Sequence, residues 1–171
     1  MKFVRLILLV TLLLIFPYQL KSDELKKLPS EHEYNFYSGM FDFSDNGKKS
    51  TVIGLQHQNE NLTRKSFLGT LSPVSGALIT TDNAAYFYTG VQAQYKIGKV
   101  NLTPSFTPGI YTQGDGKDLG HPIEFKSEVQ LSLNLFENSQ FGMSYNHISN
   151  ASLGDKNPGA NSYMFNFLQK F

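Results

Sequence analysis

Apolar and polar side chains alternate along most of this chain, and that alternation constrains its fold more than any other feature. The clearest run is 128–136, in which every second residue is apolar: Val129, Leu131, Leu133 and Leu135. Successive side chains of a β-strand point to opposite faces, so a period of two is the pattern of a strand with one apolar face. The same period recurs in 85–97 and in 100–110. The sequence therefore predicts an all-β fold.

Turns rich in Gly, Asn and Asp divide the chain into eight candidate strands. The predicted strands are Tyr34–Ser44, Ser50–Gln58, Ser66–Leu78, Ala84–Ile97, Val100–Gln113, Ile123–Phe136, Gln140–Asn150 and Asn161–Phe171. Most of them exceed ten residues, and a tilted strand needs about 9–11 residues to cross a bilayer. Short turns imply antiparallel neighbours. We therefore expect an eight-stranded antiparallel transmembrane β-barrel.

The composition suits a protein that lies partly in lipid. Charged residues make up 17% of the chain, against about 25% in an ordinary soluble domain, while there are 14 Phe and 9 Tyr residues. A formal net charge of +1 gives no basic bias of the kind that nucleic-acid binding needs, so we expect no nucleic-acid partner. The chain has no cysteine, which excludes disulfide bonds and thiol chemistry.

The N-terminal segment 1–22 has the pattern of a secretory signal peptide. Two basic residues precede an apolar run, residues 6–16, and Ser22 supplies a small residue at the end of the segment. This run is too short for the roughly 20 residues that a membrane-spanning helix needs. We therefore expect residues 1–22 to be removed, residues 23–171 to form the barrel domain, and the protein to be located in the bacterial outer membrane.

The C-terminal residues favour a membrane barrel over a soluble, lipocalin-like barrel, which would hide its apolar face inside. The chain ends on Phe171, and aromatic residues alternate before it: Tyr163, Phe165 and Phe167. A terminal aromatic residue after such a strand resembles the signal that the outer-membrane barrel assembly machinery reads. We therefore expect that machinery to be a partner, an apolar outer wall in lipid, and a polar interior.

One predicted strand carries residues with catalytic chemistry. Between Phe141 and Tyr145 the odd-numbered residues are apolar or aromatic, and His147 and Ser149 continue on the same face. A titratable side chain on a lipid-facing wall is costly and indicates a function. The two residues lie about 6–7 Å apart at their Cα atoms, and a His base beside a Ser hydroxyl is the minimum for a serine esterase. On spacing alone, a rim His and Ser in contact with headgroups and water remains the better interpretation.

Two short motifs resemble those of a known family. The stretch His147-Ile148-Ser149-Asn150-Ala151, followed by Asn157-Pro158-Gly159, is similar to the signature of the PagL-type lipid A 3-O-deacylases. The stretch 119–127 is also similar, and the resemblance extends over about 95–171. It implies an eight-stranded outer-membrane esterase that removes a 3-O-linked acyl chain from the lipid A of lipopolysaccharide. It implies no cofactor and no metal.

The resemblance also implies roles for individual residues. It assigns the nucleophile to Ser149 and the base to His147, and the acidic member of the triad falls on Asn161, where the family has Glu. An amide can orient the imidazole but supplies no charge. Stabilisation of the oxyanion is expected from Asn157, with Asn150 as a second candidate.

The missing Glu leaves alternatives open. Other carboxylates that we consider for the role are Asp155, Glu124 and Glu128. A second function is a structural or lipid-binding barrel that has lost catalysis, and a third is a calcium-dependent outer-membrane phospholipase. Whether the protein forms a homodimer is left open.

Three histidines and four basic residues outside these motifs have simpler interpretations. Three histidines are scattered without the spacing of zinc ligands, so we expect no metal site: His32, His57 and His121. Four basic residues could contact lipid A phosphates or lie in ordinary solvated turns: Lys48, Lys49, Arg64 and Lys65.

Overall fold

The computed structural model of the chain describes residues 32–45 and 49–171. The predicted signal peptide, residues 1–22, lies outside the described residues, and its removal stays a prediction. Within the described ranges, no helix is long and apolar enough to cross a membrane.

The described chain forms a closed barrel of eight antiparallel strands. Eight long strands form the barrel, and two short segments, β3 and β6, extend it. In chain order the segments described are β1 (His32–Phe41), β2 (Ser50–Asn59), β3 (Arg64–Ser66), β4 (Gly69–Thr80), β5 (Ala85–Ala93), β6 (Tyr95–Ile97), β7 (Val100–Thr112), β8 (Ile123–Phe136), β9 (Ser139–Ser149) and β10 (Ala160–Lys170), with one 3-10 turn at Glu60–Leu62. The order around the barrel is β1, β2, β4, β5, β7, β8, β9 and β10, and β10 pairs with β1 to close it. The short strands β3 and β6 pair with β4 and β7. The predicted fold class is confirmed.

Two of the predicted strands are interrupted. The predicted strand Ser66–Leu78 contains a tight turn, because Ser66 ends β3 and Gly69 starts β4 with a φ of +92°. That left-handed conformation suits glycine, which has no Cβ. The predicted strand Ala84–Ile97 is broken at Gln94, which separates β5 from β6.

The first strand starts and ends earlier than predicted, at His32 and Phe41 instead of Tyr34 and Ser44. It ends at Phe41 because Asp42 takes a left-handed φ of 51° and begins a turn. After that turn the backbone N–H of Phe43 donates to the carbonyl oxygen of Asn161, at 2.9 Å. The segment that follows β1 is therefore attached to the start of β10.

Polar side chains fill the middle of the barrel, as predicted. The side-chain amide of Asn35 donates to Gln130 at 3.1 Å and to Asn166 at 3.0 Å, and Lys126 forms an ion pair with Glu128 at 3.5 Å. Buried polar groups need such partners, because leaving them unpaired is costly. The interior also contains a buried apolar cluster, which includes Phe41, Tyr111, Leu119, Ile148 and Met164.

The outer wall is apolar. Leu131 and Met143 are 52% and 50% exposed, and Phe165 and Phe167 of the C-terminal pattern lie on the same wall. A continuous apolar surface of this kind is stable in lipid and not in water. The soluble, lipocalin-like alternative is therefore wrong, because the polar face is inside and the apolar face is outside.

The two ends of the barrel differ. The connecting residues 42–45 and 49, and the connections 81–84, 113–122 and 150–159, lie at one end, which we call the loop rim. His32 and Phe171 lie at the opposite end. Of the four basic residues singled out above, Lys49 lies at the loop rim, whereas Arg64 and Lys65 lie at the opposite end. Lys48 lies outside the described residues.

Candidate active site

His147 lies on the outer wall close to the loop rim, as its position in the alternating pattern predicts. Its neighbour Asn146 is 1% exposed and points into the barrel, while Tyr145 is 50% exposed on the lipid side. In the antiparallel pairing of β9 with β10, His147 lies directly opposite Asn161. Directly opposed side chains on one face of a sheet are close enough to interact.

His147 and Asn161 form a hydrogen bond between side chains. The distance from His147 Nδ1 to Asn161 Oδ1 is 2.8 Å. The same oxygen accepts a bond from the Tyr145 hydroxyl at 2.8 Å, and Asn161 Nδ2 donates to Ser44 Oγ at 3.1 Å. Because an amide oxygen only accepts, the hydrogen of the neutral imidazole lies on Nδ1 and the Nε2 lone pair is available to act as a base.

Gly159 lies against the Nε2 side of the His147 ring. A Cβ atom at Gly159 would lie 2.8 Å from Cε1 and 3.2 Å from Nε2 of His147. Its φ of +63° is also in the left-handed region. Both the conformation and the close approach of the ring therefore require glycine at this position.

Ser149 is the last residue of β9 and lies on the same face as His147. It is half-buried, and among the described residues no hydrogen bond joins its hydroxyl to His147. The chain turns immediately after Asn150, because Ala151 and Ser152 have left-handed φ values of 52° and 65°. Ser149 is thus placed where the strand gives way to the loop.

Asn150 holds this loop in shape. It is fully buried, and its side-chain amide donates to the carbonyl oxygens of Leu119 and Lys156, both at 2.8 Å. Its Oδ1 accepts from the backbone N–H of Ser152 at 2.9 Å. Both N–H bonds of the amide are therefore used within the protein.

The side-chain oxygen of Asn157 is held by the backbone of Asn150. The backbone N–H of Asn150 donates to Asn157 Oδ1 at 3.0 Å. Asn157 is exposed, and its Nδ2 group has no hydrogen-bond partner within residues 32–45 and 49–171. The donor end of this amide therefore faces outward, beside the end of β9.

A surface ion pair links the loops on either side of Asn150. Lys156 Nζ lies 2.6 Å from the carboxylate of Asp118, and both side chains are exposed. The hydrogen bond from Lys156, followed by one from the backbone N–H of Gly120, lowers the pKa of Asp118. An exposed pair of this kind contributes little to stability, so the buried Asn150 and Leu119 are the main attachment between the loops.

Comparison with known protein families shows to which family the chain belongs. A family model described as lipid A 3-O-deacylase (PagL) matches residues 34–168. The chain belongs to the PagL family. No curated protein sequence matches the chain.

Solved structures agree with the PagL assignment at the level of the fold. A crystal structure described as that of the outer membrane enzyme PagL superposes with a TM-score of 0.58 at 16% identity, covering 80% of this chain and 98% of that chain. A structure from the de novo design of transmembrane β-barrels gives a TM-score of 0.53 at 10% identity, covering 85% of this chain and 98% of that one.

The alternative carboxylates that the sequence offered do not reach His147 in this PagL-family chain. Glu124 is fully buried and Glu128 nearly so, and both point into the barrel, away from the outer face that carries His147. Asp155 is exposed in the loop 150–159. None of the three is hydrogen-bonded to His147 or Asn161 in the described structure.

The carboxylate that does contact Asn161 is Asp42, which the sequence analysis missed. Its Oδ1 accepts from the backbone N–H of Asn161 at 3.4 Å, and its side chain is fully buried. Since β1 precedes Asp42 and pairs antiparallel with β10, the end of β1 must lie beside the start of β10. That pairing is the signal that could have brought Asp42 into consideration.

The histidines outside the site are engaged elsewhere. His32 Nδ1 lies 2.8 Å from His57 Nε2 at the end opposite the loop rim, and His121 Nδ1 accepts from the backbone N–H of Ile123 at 3.0 Å. Within the part of the chain that the structure describes, no three His, Asp or Glu residues form a group that could hold a metal ion.

Proposed function

We propose that this protein is an outer-membrane ester hydrolase that removes a 3-O-linked acyl chain from lipid A. The observation that carries the proposal is the 2.8 Å hydrogen bond from His147 Nδ1 to Asn161 on the lipid-facing wall. It leaves Nε2 as the basic nitrogen, on the same face as Ser149 and two residues away. Membership of the PagL family supplies the substrate class.

In the proposed reaction His147 acts first as a base and then as an acid. Its Nε2 takes the proton from Ser149 Oγ while Oγ bonds to the ester carbonyl carbon. The bond from that carbon to the 3-oxygen of the sugar then breaks, and this oxygen takes the proton from His147. Water, deprotonated by the same nitrogen, next attacks the carbonyl carbon of the acyl-enzyme. The bond from that carbon to Ser149 Oγ breaks, Oγ takes the proton back from His147, and the fatty acid is released.

Asn157 is our candidate donor to the oxyanion. Its Oδ1 is fixed by the backbone N–H of Asn150 at 3.0 Å, and its Nδ2 points outward. A donor held in advance at the place where negative charge develops is worth more than one that must reorganise. Because Asn150 uses both amide hydrogens on backbone carbonyls, we assign Asn150 the task of positioning Asn157.

The outer wall offers room for an acyl chain. An apolar depression of about 700 Å³ lies on it, with Phe36, Phe87 and Phe165 among its lining residues. Phe165 is four residues along β10 from Asn161 on the same face of the strand. An acyl chain that stays in the leaflet could therefore extend from the site along this wall.

The proposed location follows from the outer wall and from membership of the PagL family. An apolar outside and a filled polar interior suit the outer membrane. We propose that the barrel assembly machinery recognises β10 together with Phe171, whose side chain is 73% exposed.

The neutral Asn161 favours one competing function, a family member that has lost catalysis and serves as a structural or lipid-binding barrel. A carboxylate would stabilise the imidazolium that forms during the reaction, and an amide does so only as a dipole. The two functions make opposite predictions for the lipid A of a cell that expresses the protein.

Mass spectrometry of lipid A separates them. Cells expressing the wild type are compared with cells expressing Ser149→Ala, after both barrels are shown to be inserted by their heat-dependent migration on gels. We expect lipid A with one acyl chain fewer in the first and unchanged lipid A in the second, since removal of a catalytic Ser costs on the order of 10⁶-fold in kcat in a serine protease. Unchanged lipid A in both strains would favour the lost-catalysis function.

A further inference from the structure

A series of side-chain hydrogen bonds leads from Asp42 through Ser44 and Asn161 to the imidazole of His147. Ser44 Oγ donates to Asp42 Oδ1 at 3.5 Å and accepts from Asn161 Nδ2 at 3.1 Å. Asn161 Oδ1 in turn accepts from His147 Nδ1 at 2.8 Å. The series therefore joins a fully buried carboxylate to the base through a hydroxyl and an amide.

The direction of each bond follows from the chemistry of the first group. An ionised carboxylate can only accept, so the Ser44 hydroxyl must donate its one hydrogen to Asp42. The Ser44 oxygen is then left to accept, and it accepts from the NH₂ end of Asn161. The oxygen end of Asn161 consequently faces His147, where it requires a hydrogen on Nδ1.

We propose that Asp42 is a positioning residue that fixes the tautomer of His147 through Ser44 and Asn161, in place of the carboxylate that Asn161 lacks. This inference rests on the proposed hydrolase function. Without Asp42, either end of the Asn161 amide could face the imidazole. With the NH₂ end there, Nδ1 would have to accept, the hydrogen would move to Nε2, and the base would be lost.

The surroundings of Asp42 hold its carboxylate in place. Lys117 Nζ lies 2.6 Å from Asp42 and 3.4 Å from Asp45, so one lysine stands between two carboxylates and the group keeps a net negative charge. The backbone N–H of Asp42 donates to Ser162 Oγ at 3.3 Å. Together with the bond from Phe43 to Asn161, this attaches the turn after β1 to β10.

The three hydrogen bonds are all donated in the direction from His147 towards Asp42, and this common direction also changes the charge distribution at the site. Each donor in such a chain polarises the next, so the electron density on the Asn161 oxygen rises. The Tyr145 hydroxyl donates to the same oxygen from the other side. The bond of Asn161 to Ser44 therefore makes the amide a better acceptor for the imidazolium than it would be without Ser44.

The test is Ser44→Ala, measured as release of fatty acid from purified lipid A by the full barrel in detergent micelles. Ser44 is exposed at the rim, so its loss does not open the core. We expect kcat to fall about tenfold, the effect of one hydrogen bond, with KM unchanged. Ser44→Thr, which keeps the hydroxyl, should restore kcat, and Asp42→Asn should lower it as Ser44→Ala does.

Ser75→Ala is the matched control, because Ser75 is another exposed hydroxyl on the outer wall, and among the described residues its hydroxyl bonds only to Thr89, at 3.1 Å. It should leave kcat unchanged. A second comparison uses Asn161→Glu, in which a carboxylate accepts from Nδ1 whichever way it turns. In that background Ser44→Ala should change kcat less than twofold. An equal loss in both backgrounds would mean that Ser44 is merely structural and would overturn the proposal.

A spectroscopic measurement separates this inference from the proposed function. Nitrogen-15 NMR of histidine-labelled protein reports which nitrogen of His147 carries the hydrogen, with His147→Gln as the assignment control. We expect Nδ1–H in the wild type and a mixture of tautomers in Ser44→Ala. If the wild type releases no fatty acid, the hydrolase function fails while this comparison still decides the positioning role; identical tautomers in both proteins would refute it.

Discussion

The two halves of the candidate site are built in different ways. The half with the proposed base, His147 with Asn161, lies on two paired strands and is held by bonds of 2.8 Å at both sides of the Asn161 oxygen. The half with the proposed nucleophile and the candidate oxyanion donor, Ser149 with Asn157, lies where β9 passes into a loop. One half is defined by strand register and the other by a turn.

This difference determines which amino-acid substitutions each half of the site tolerates. A register in a closed barrel is fixed by the whole circle of strands, so the base and its partner stay opposed unless the barrel unfolds. The loop depends on a few contacts, above all those of the buried Asn150. Substitutions that act on the donor end of Asn157 should therefore have the largest effects on turnover with small effects on stability.

After removal of Ser149 itself, the largest effect is expected from Asn157→Asp. Aspartate keeps the oxygen that accepts from the Asn150 N–H but replaces the donor with a negative charge that faces the developing oxyanion. We expect kcat on lipid A to fall by about 10² to 10³-fold, the usual effect of losing one oxyanion donor. Thermal unfolding followed by circular dichroism should be unchanged. A fall of less than threefold would assign Asn157 to the turn alone.

The next effect has the opposite sign and acts on the base half. Asn161→Glu places a carboxylate opposite His147, and we expect kcat to rise at least about tenfold, because a charged partner stabilises the imidazolium where an amide does not. The measurement is fatty-acid release under saturating lipid A. Asn161→Gln, of the same length but without charge, is the control and should give no gain. A wild type and an Asn161→Glu variant that are both inactive would mean that the site has degenerated beyond one residue.

A smaller effect is expected where the two halves meet. Gly159→Ala would push a Cβ to 2.8 Å from the His147 ring, so we expect kcat to fall about fivefold as the ring moves away from Asn161. The left-handed backbone adds about 1 kcal/mol of destabilisation. Gly98→Ala is a matched control, because Gly98 has the same φ of +63° with no atom within 4 Å of its Cβ position. It should lose the same stability and no activity, and equal losses of activity would show that the ring contact is irrelevant.

The sequence predicts the strand-built half well. The period of two sets which residues share a face, so it places His147, Ser149 and Asn161 together on the outer wall before any contact is known. The structure confirms the opposition of His147 and Asn161. The catalytic roles of these residues stay predictions.

The sequence predicts the loop-built contacts poorly. Asp42 lies inside the predicted strand Tyr34–Ser44, which extends past the real end of β1 at Phe41. The left-handed φ of Asp42 ends the strand there, and no periodicity in the sequence reveals it. The contact of Asp42 with Asn161 joins residues 119 positions apart. Such contacts follow from the closure of the barrel and from loop packing, and single-sequence patterns carry neither.

The side chains that fill the barrel have a consequence for kinetics. Because the interior is occupied by the network around Asn35 and Lys126, substrate and product of the proposed reaction move only along the outside, within the plane of one leaflet. Such an enzyme works on a surface: its rate depends on the mole fraction of substrate among the surrounding lipids and not on a bulk concentration. Diluting lipid A with inert detergent at constant total amount should slow turnover in proportion, and the freed fatty acid remains as a new component of the same two-dimensional solvent.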